Sequence, residues 1–145
     1  MERRAGLGGF VYLAMGDTLA CEYAQGSHLS ICLQHGVCST HELLTPQDPL
    51  PRGLLQIGII IDHLVILEQC LRADLEAVRA GRLETTAVRA RCAQHGYSVC
   101  GLEVNAKKSF SNQALATFWG VDVDGNKGLV RGTSSRLWAT IFITL

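Results

Sequence analysis

Apolar side chains change their spacing several times along the chain, and each change predicts a different element. Residues 9–14 (GFVYLA) are aromatic and β-branched, the composition of a short strand. Between Thr18 and His35 the apolar positions Leu19, Ala20, Tyr23, Ala24, Leu29, Cys32 and Leu33 return at helical spacing, with Asp17 placed to cap the start and Gly36 to stop the end. Gln25 and His28, one turn apart, fall on the wet side of that amphipathic helix. All three prolines sit in residues 45–53 (TPQDPLPRG), an irregular loop.

The most hydrophobic stretch, IIIDHLVILEQ at residues 59–69, carries an aspartate and a histidine at its centre. Gln56 to Ile61 and Leu64 to Leu67 are largely β-branched, which predicts two strands joined by a two-residue turn at Asp62-His63, residue types that tolerate positive φ. Glu68 to Ala80 and Glu84 to His95, rich in alanine and arginine, predict two helices divided near Gly81, with Gly96 as the second stop. Residues 101–110 (GLEVNAKKSF) predict a short strand and a polar turn. A hairpin is expected about Asp124-Gly125 within TFWGVDVDGNKGLVR, and a capped helix in SSRLWATIFITL at the end. Helices mixed with hairpins predict an α+β fold, not a parallel βαβ sheet.

Composition narrows the partners. The 145 residues suit one domain, 1–145, and 13 basic against 13 acidic residues leave no net field toward nucleic acid or an anionic membrane. Any basic surface is local, as from Asn105 onward, where Lys107, Lys108, Lys127, Arg131 and Arg136 outnumber Asp122 and Asp124. Six cysteines without a Cys-x-x-Cys pair fit neither a disulfide-stapled domain nor a zinc ribbon and predict a reducing, intracellular compartment, nucleus or cytoplasm. His28, His35 and His41 with Cys32 and Cys38 likewise lack paired zinc-ligand spacing. No signal peptide is expected, and no membrane helix, since no stretch reaches roughly 18 uninterrupted apolar residues.

A carboxylate fixed at the tip of a rigid apolar hairpin suits a hard divalent cation such as Mg²⁺, which takes one or two protein carboxylates and fills its other positions with water and phosphate oxygens. On spacing alone, Asp62 and His63 read as plain turn residues.

The neighbouring blocks add a family resemblance. IIIDHLVILE resembles the hydrophobic-Asp-Asp-hydrophobic hairpin of reverse transcriptases. LAMGDTLACEYAQGSHLSICLQHG upstream is similar to that family's turn and helix under the template and incoming nucleotide. GLEVNAKKSF downstream is similar to its GL-x-hydrophobic-N-x-x-K block, and FWGVDVDG to its primer-grip hairpin. The four blocks stand in the family's order across residues 13–131, with a flavour closer to retrotransposon or cellular proteins than to retroviral enzymes.

The resemblance implies a partial polymerase palm, a small mostly antiparallel sheet with helices on one face, and RNA-templated DNA synthesis with Mg²⁺ by attack of a primer 3′-hydroxyl on the α-phosphate. It implies that Asp62 binds metal and that Lys108, with Lys107 beside it, lies near the triphosphate and protonates the pyrophosphate leaving group. By the same resemblance Gly16, Asp17 and Gln25 face nucleotide or template, and Phe118, Trp119 and Gly120 form the primer grip. Its partners are an RNA template, a DNA primer and an upstream polymerase segment.

Two departures stand out. His63 occupies the place of the second aspartate, and imidazole supplies no negative charge for Mg²⁺. The strand-borne aspartate that the family places further upstream, with the fingers, has no counterpart in MERRAGLGGFVY. A truncated palm that does not polymerise alone is therefore expected, and a non-enzymatic nucleic-acid- or protein-binding remnant is the alternative.

Overall fold

A computed structural model of the chain describes residues 19–74, 76, 77, 80 and 84–133. The strand expected at 9–14, Gly16, the cap at Asp17, the break near Gly81 and the helix expected after Thr133 lie outside the described residues. The chain forms two compact units: Met1–Glu68 with Val88–Leu102, and Gln69–Ala87 with Glu103–Leu145.

In the first unit α1 spans Ala20–Gln34. Gly36 ends it with φ +69°, while the Val37 N–H reaches the Cys32 carbonyl at 2.8 Å and the Gly36 N–H the Leu33 carbonyl at 3.3 Å. This is the double bond of a Schellman cap, and Val37 and Cys32 bury the apolar contact that accompanies it. α2 spans Glu84–Val99 and ends in the same way at Gly101, φ +71°, with Leu102 N–H to Tyr97 O at 2.8 Å.

Gly96 is not the expected stop. It lies inside α2, where a Cβ would meet the His35 ring at 2.9 Å, so the glycine allows the end of α1 to approach α2.

Strands β1 (Leu55–Ile60) and β2 (His63–Glu68) pair antiparallel with Ile57 opposite Ile66 and Ile59 opposite Leu64. That register puts Leu55, Ile57 and Ile59 on one face, buried against Cys32, Val37, Cys38 and Ala93. A short 3₁₀ turn, Thr40–Glu42, leads into a bridge from Leu43 to Ile57, with the Leu44 N–H on the Ile57 carbonyl at 2.8 Å. The expected turn shifts by one residue. Ile60 pairs with His63, so Ile61 and Asp62 form the turn and His63 opens β2.

The second unit holds a three-stranded antiparallel meander, β3 (Leu115–Phe118), β4 (Val121–Asp124) and β5 (Leu129–Gly132). The hairpin expected about Asp124-Gly125 is β4–β5, where the Asp124 carboxylate accepts the Asn126 and Lys127 N–H groups at 3.1 and 3.2 Å. A second, tighter turn at Trp119-Gly120 has φ +52° and +73°, the two left-handed residues of a I′ hairpin.

Two expectations fail here. The helix expected from Glu68 is absent at its start: Glu68 closes β2, and Arg72–Asp74 is a 3₁₀ turn. The strand expected from Gly101 has no ladder, and Leu102 and Val104 are exposed. Only the polar turn at Asn105 forms. Among the described residues the fold is α+β, two helices and two antiparallel sheets, and no helix is long and apolar enough to cross a membrane.

Candidate functional site

The tip of the β1–β2 hairpin gathers the chemistry of the first unit. Ile61 has φ +50°, left-handed backbone that costs a β-branched residue about 1–2 kcal/mol. Asp62, second in the turn, is not among the positive-φ residues.

Helix α1 holds the strained residue on both sides. The Ile61 N–H donates to Gln25 Oε1 at 2.5 Å, and Gln25 Nε2 donates to the Ile59 carbonyl at 2.8 Å, so one side-chain amide pairs with β1 as a neighbouring strand would. His28 Nδ1–H donates to the Ile61 carbonyl at 2.7 Å, which leaves Nε2 to accept the Tyr97 hydroxyl, also at 2.7 Å. His28 is only 7% exposed and packs against the Tyr97 ring, which α2 supplies. Strain of this kind persists where the surroundings over-determine it, and such positions cluster at functional sites.

Behind the clamp the groups are inert. Burial raises the Tyr97 hydroxyl, with the Cys32 and Cys38 thiols adding to the shift, and burial raises Cys32 against the opposing Tyr97 hydrogen bond. Cys38 is pushed up to about 11, mainly by burial. None of the three supplies a nucleophile at neutral pH.

In front of the clamp, Asp62 and His63 face solvent at 80% and 58% side-chain exposure, with Asp62 Oδ1 on His63 Nδ1 at 2.7 Å. Among the described residues no set of three His, Cys, Asp or Glu side chains converges to hold a metal. One carboxylate already paired to an imidazole does not fit a Mg²⁺ site, still less two ions roughly 4 Å apart.

Five of the other expected site residues belong to the second unit. Lys107 and Lys108 are exposed in the turn whose N–H groups bond Asn105, at 3.1 Å to its side-chain oxygen and 3.0 Å to its carbonyl. Phe118 and Trp119 meet edge to face with centres 5.5 Å apart, and Gly120 supplies the left-handed turn residue. The Trp119 indole N–H is buried with no acceptor among the described residues. These five belong to the second unit, Asp62 and Gln25 to the first, and Gly16 and Asp17 are outside the described residues.

The expected wet face of α1 is corrected here: Gln25 and His28 turn inward, whereas Tyr23 is 60% exposed. Sequence reasoning passed over Tyr97, read Ile61 as strand and set His28 on the wet face. The available signal was that His28 and Cys32, four residues apart, share a face with Gln25 and Leu29. Comparison with protein-family models, curated proteins and solved structures finds no match to the chain.

Proposed function

We propose that the chain is a partial polymerase palm of the reverse-transcriptase, retrotransposon type, catalytically inert on its own, which keeps contact with nucleic acid. The carrying observation is the two-residue turn that offers Asp62 to solvent at the tip of an apolar hairpin seated on α1. The sequence order of the blocks supports it, as does the second tight turn at Trp119-Gly120, where the family has its primer grip. The family reaction is RNA-templated DNA synthesis with Mg²⁺, inside the cell.

Inertness follows from charge. Asp62 is the only carboxylate at the tip among the described residues, and its Oδ1 is engaged by His63. An upstream polymerase segment that brings a further aspartate is the partner this reading requires.

Primer extension on an RNA template tests it: with deoxynucleoside triphosphates and Mg²⁺ the isolated chain extends no primer. Template-dependent extension that Asp62→Asn abolishes would contradict the reading. A second reading, a non-enzymatic nucleic-acid- or protein-binding remnant, draws on the exposed Lys107 and Lys108. It differs in predicting that an added upstream palm segment never restores synthesis to a His63→Asp chain.

A further inference from the structure

Away from the hairpin tip, two imidazoles meet at the junction of α1 and α2. His35, the C-terminal cap of α1, and His95 of α2 lie with ring centres 5.7 Å apart, edge to face at 77°. Gly96, next to His95, makes the seat, since a side chain there would strike the His35 ring. Among the described residues neither ring has a hydrogen-bond partner, and His95 is exposed.

We infer that His35 and His95 form a two-ligand site for a zinc-class divalent cation, completed by water and exchangeable with solvent. A metal–nitrogen bond of about 2.1 Å places a ring centre roughly 3.2 Å from the ion, so two rings on one ion stand roughly 5 Å apart at tetrahedral and 6 Å at linear geometry. The observed separation of 5.7 Å lies between these. Imidazole is a preferred donor for this class of ion. The partial negative charge at the C-terminus of α1 favours a cation at His35. The guanidinium bonded beside it, Arg89 on the Gly36 carbonyl at 2.6 Å, is offset by Glu42 at 3.0 Å.

The test titrates Zn²⁺ into the full chain carrying Cys21→Ser and Cys100→Ser, which removes the two exposed thiols, and reads binding by competition with a chromophoric chelator and by thermal midpoint. One equivalent of Zn²⁺ should bind and raise the midpoint with increasing metal concentration. His35→Ala and His95→Ala should each weaken binding by at least about tenfold, since losing even an outer-shell partner costs that much. His41→Ala should not. His95 is on the surface, so its variant reports even if His35→Ala fails to fold. Absence of binding, or binding that survives His95→Ala, overturns the inference.

Discussion

Ile61 shows how a residue and its surroundings divide the work of setting a conformation. Isoleucine disfavours the left-handed region, which is why the sequence points to Asp62-His63 as the turn. The shift by one residue is decided by Gln25 and His28, 36 and 33 positions away, and no local pattern shows it. The clamp predicts a measurable coupling. Gln25→Ala should cost about 1–2 kcal/mol, because the Ile61 N–H and Ile59 carbonyl lose their protein partner. In an Ile61→Gly background the cost should fall by about half, since glycine holds φ +50° without help. Equal costs in both backgrounds, by chemical denaturation, would show that the clamp does not act on the strained residue. Asp62→Asn, by contrast, should leave stability within about 0.5 kcal/mol, as an exposed ion pair contributes little.

At the scale of elements, what the sequence showed and what it hid follow from range. Schellman glycines, β-branched runs and the Asp124-Gly125 turn are local, and Gly36, β1, β2 and the β4–β5 hairpin are where the pattern predicts. Gly96 misleads because its purpose is a neighbour, the His35 ring, and residues 101–104 mislead because β composition without a partner strand makes no ladder. The link between α1, the 3₁₀ turn and α2 is also long-range: Arg89 joins the Gly36 carbonyl to the Glu42 carboxylate, 13% exposed. Burial alone would raise Glu42, but hydrogen bonds from the Ser39 hydroxyl and N–H, and then Arg89, outweigh it and hold the group below its ordinary 4.5. Glu42 therefore adds stability above about pH 4.5, and that contribution is lost as pH falls through the lower folded value. Glu42→Gln should flatten this acid limb in melts recorded from pH 6 down to about pH 3. Arg89→Ala should cost about 2 kcal/mol near neutral pH, by leaving the carboxylate buried without its cation. A wild-type acid limb in Glu42→Gln would assign the loss to another group.

For the whole molecule, stability rests on a small core. Among the described residues seven apolar side chains are buried, and Ile57 is one of three with almost no exposure, so Ile57→Ala should cost about 3–4 kcal/mol and deplete the folded state of the first unit in denaturant titrations. A loss under about 1 kcal/mol would mean that this cluster is not what holds the unit together. Function at this scale concerns surface charge, which is close to balanced in the meander: Arg131 faces Asp122 and Lys127 faces Asp124, each at 3.7 Å. Lys107 and Lys108, both exposed, are the cations this reading assigns to a phosphate backbone. The measurement that tests retained contact with nucleic acid most directly, a contact that the palm reading shares with a binding remnant, is the affinity of the chain for an RNA–DNA primer–template as a function of salt, with and without Mg²⁺. Binding is expected to be salt-sensitive, to need no Mg²⁺ and to survive Asp62→Asn, with a log–log salt slope that drops by about 2 when Lys107→Glu and Lys108→Glu are combined. No binding at low salt, or binding indifferent to the two lysines, would contradict it.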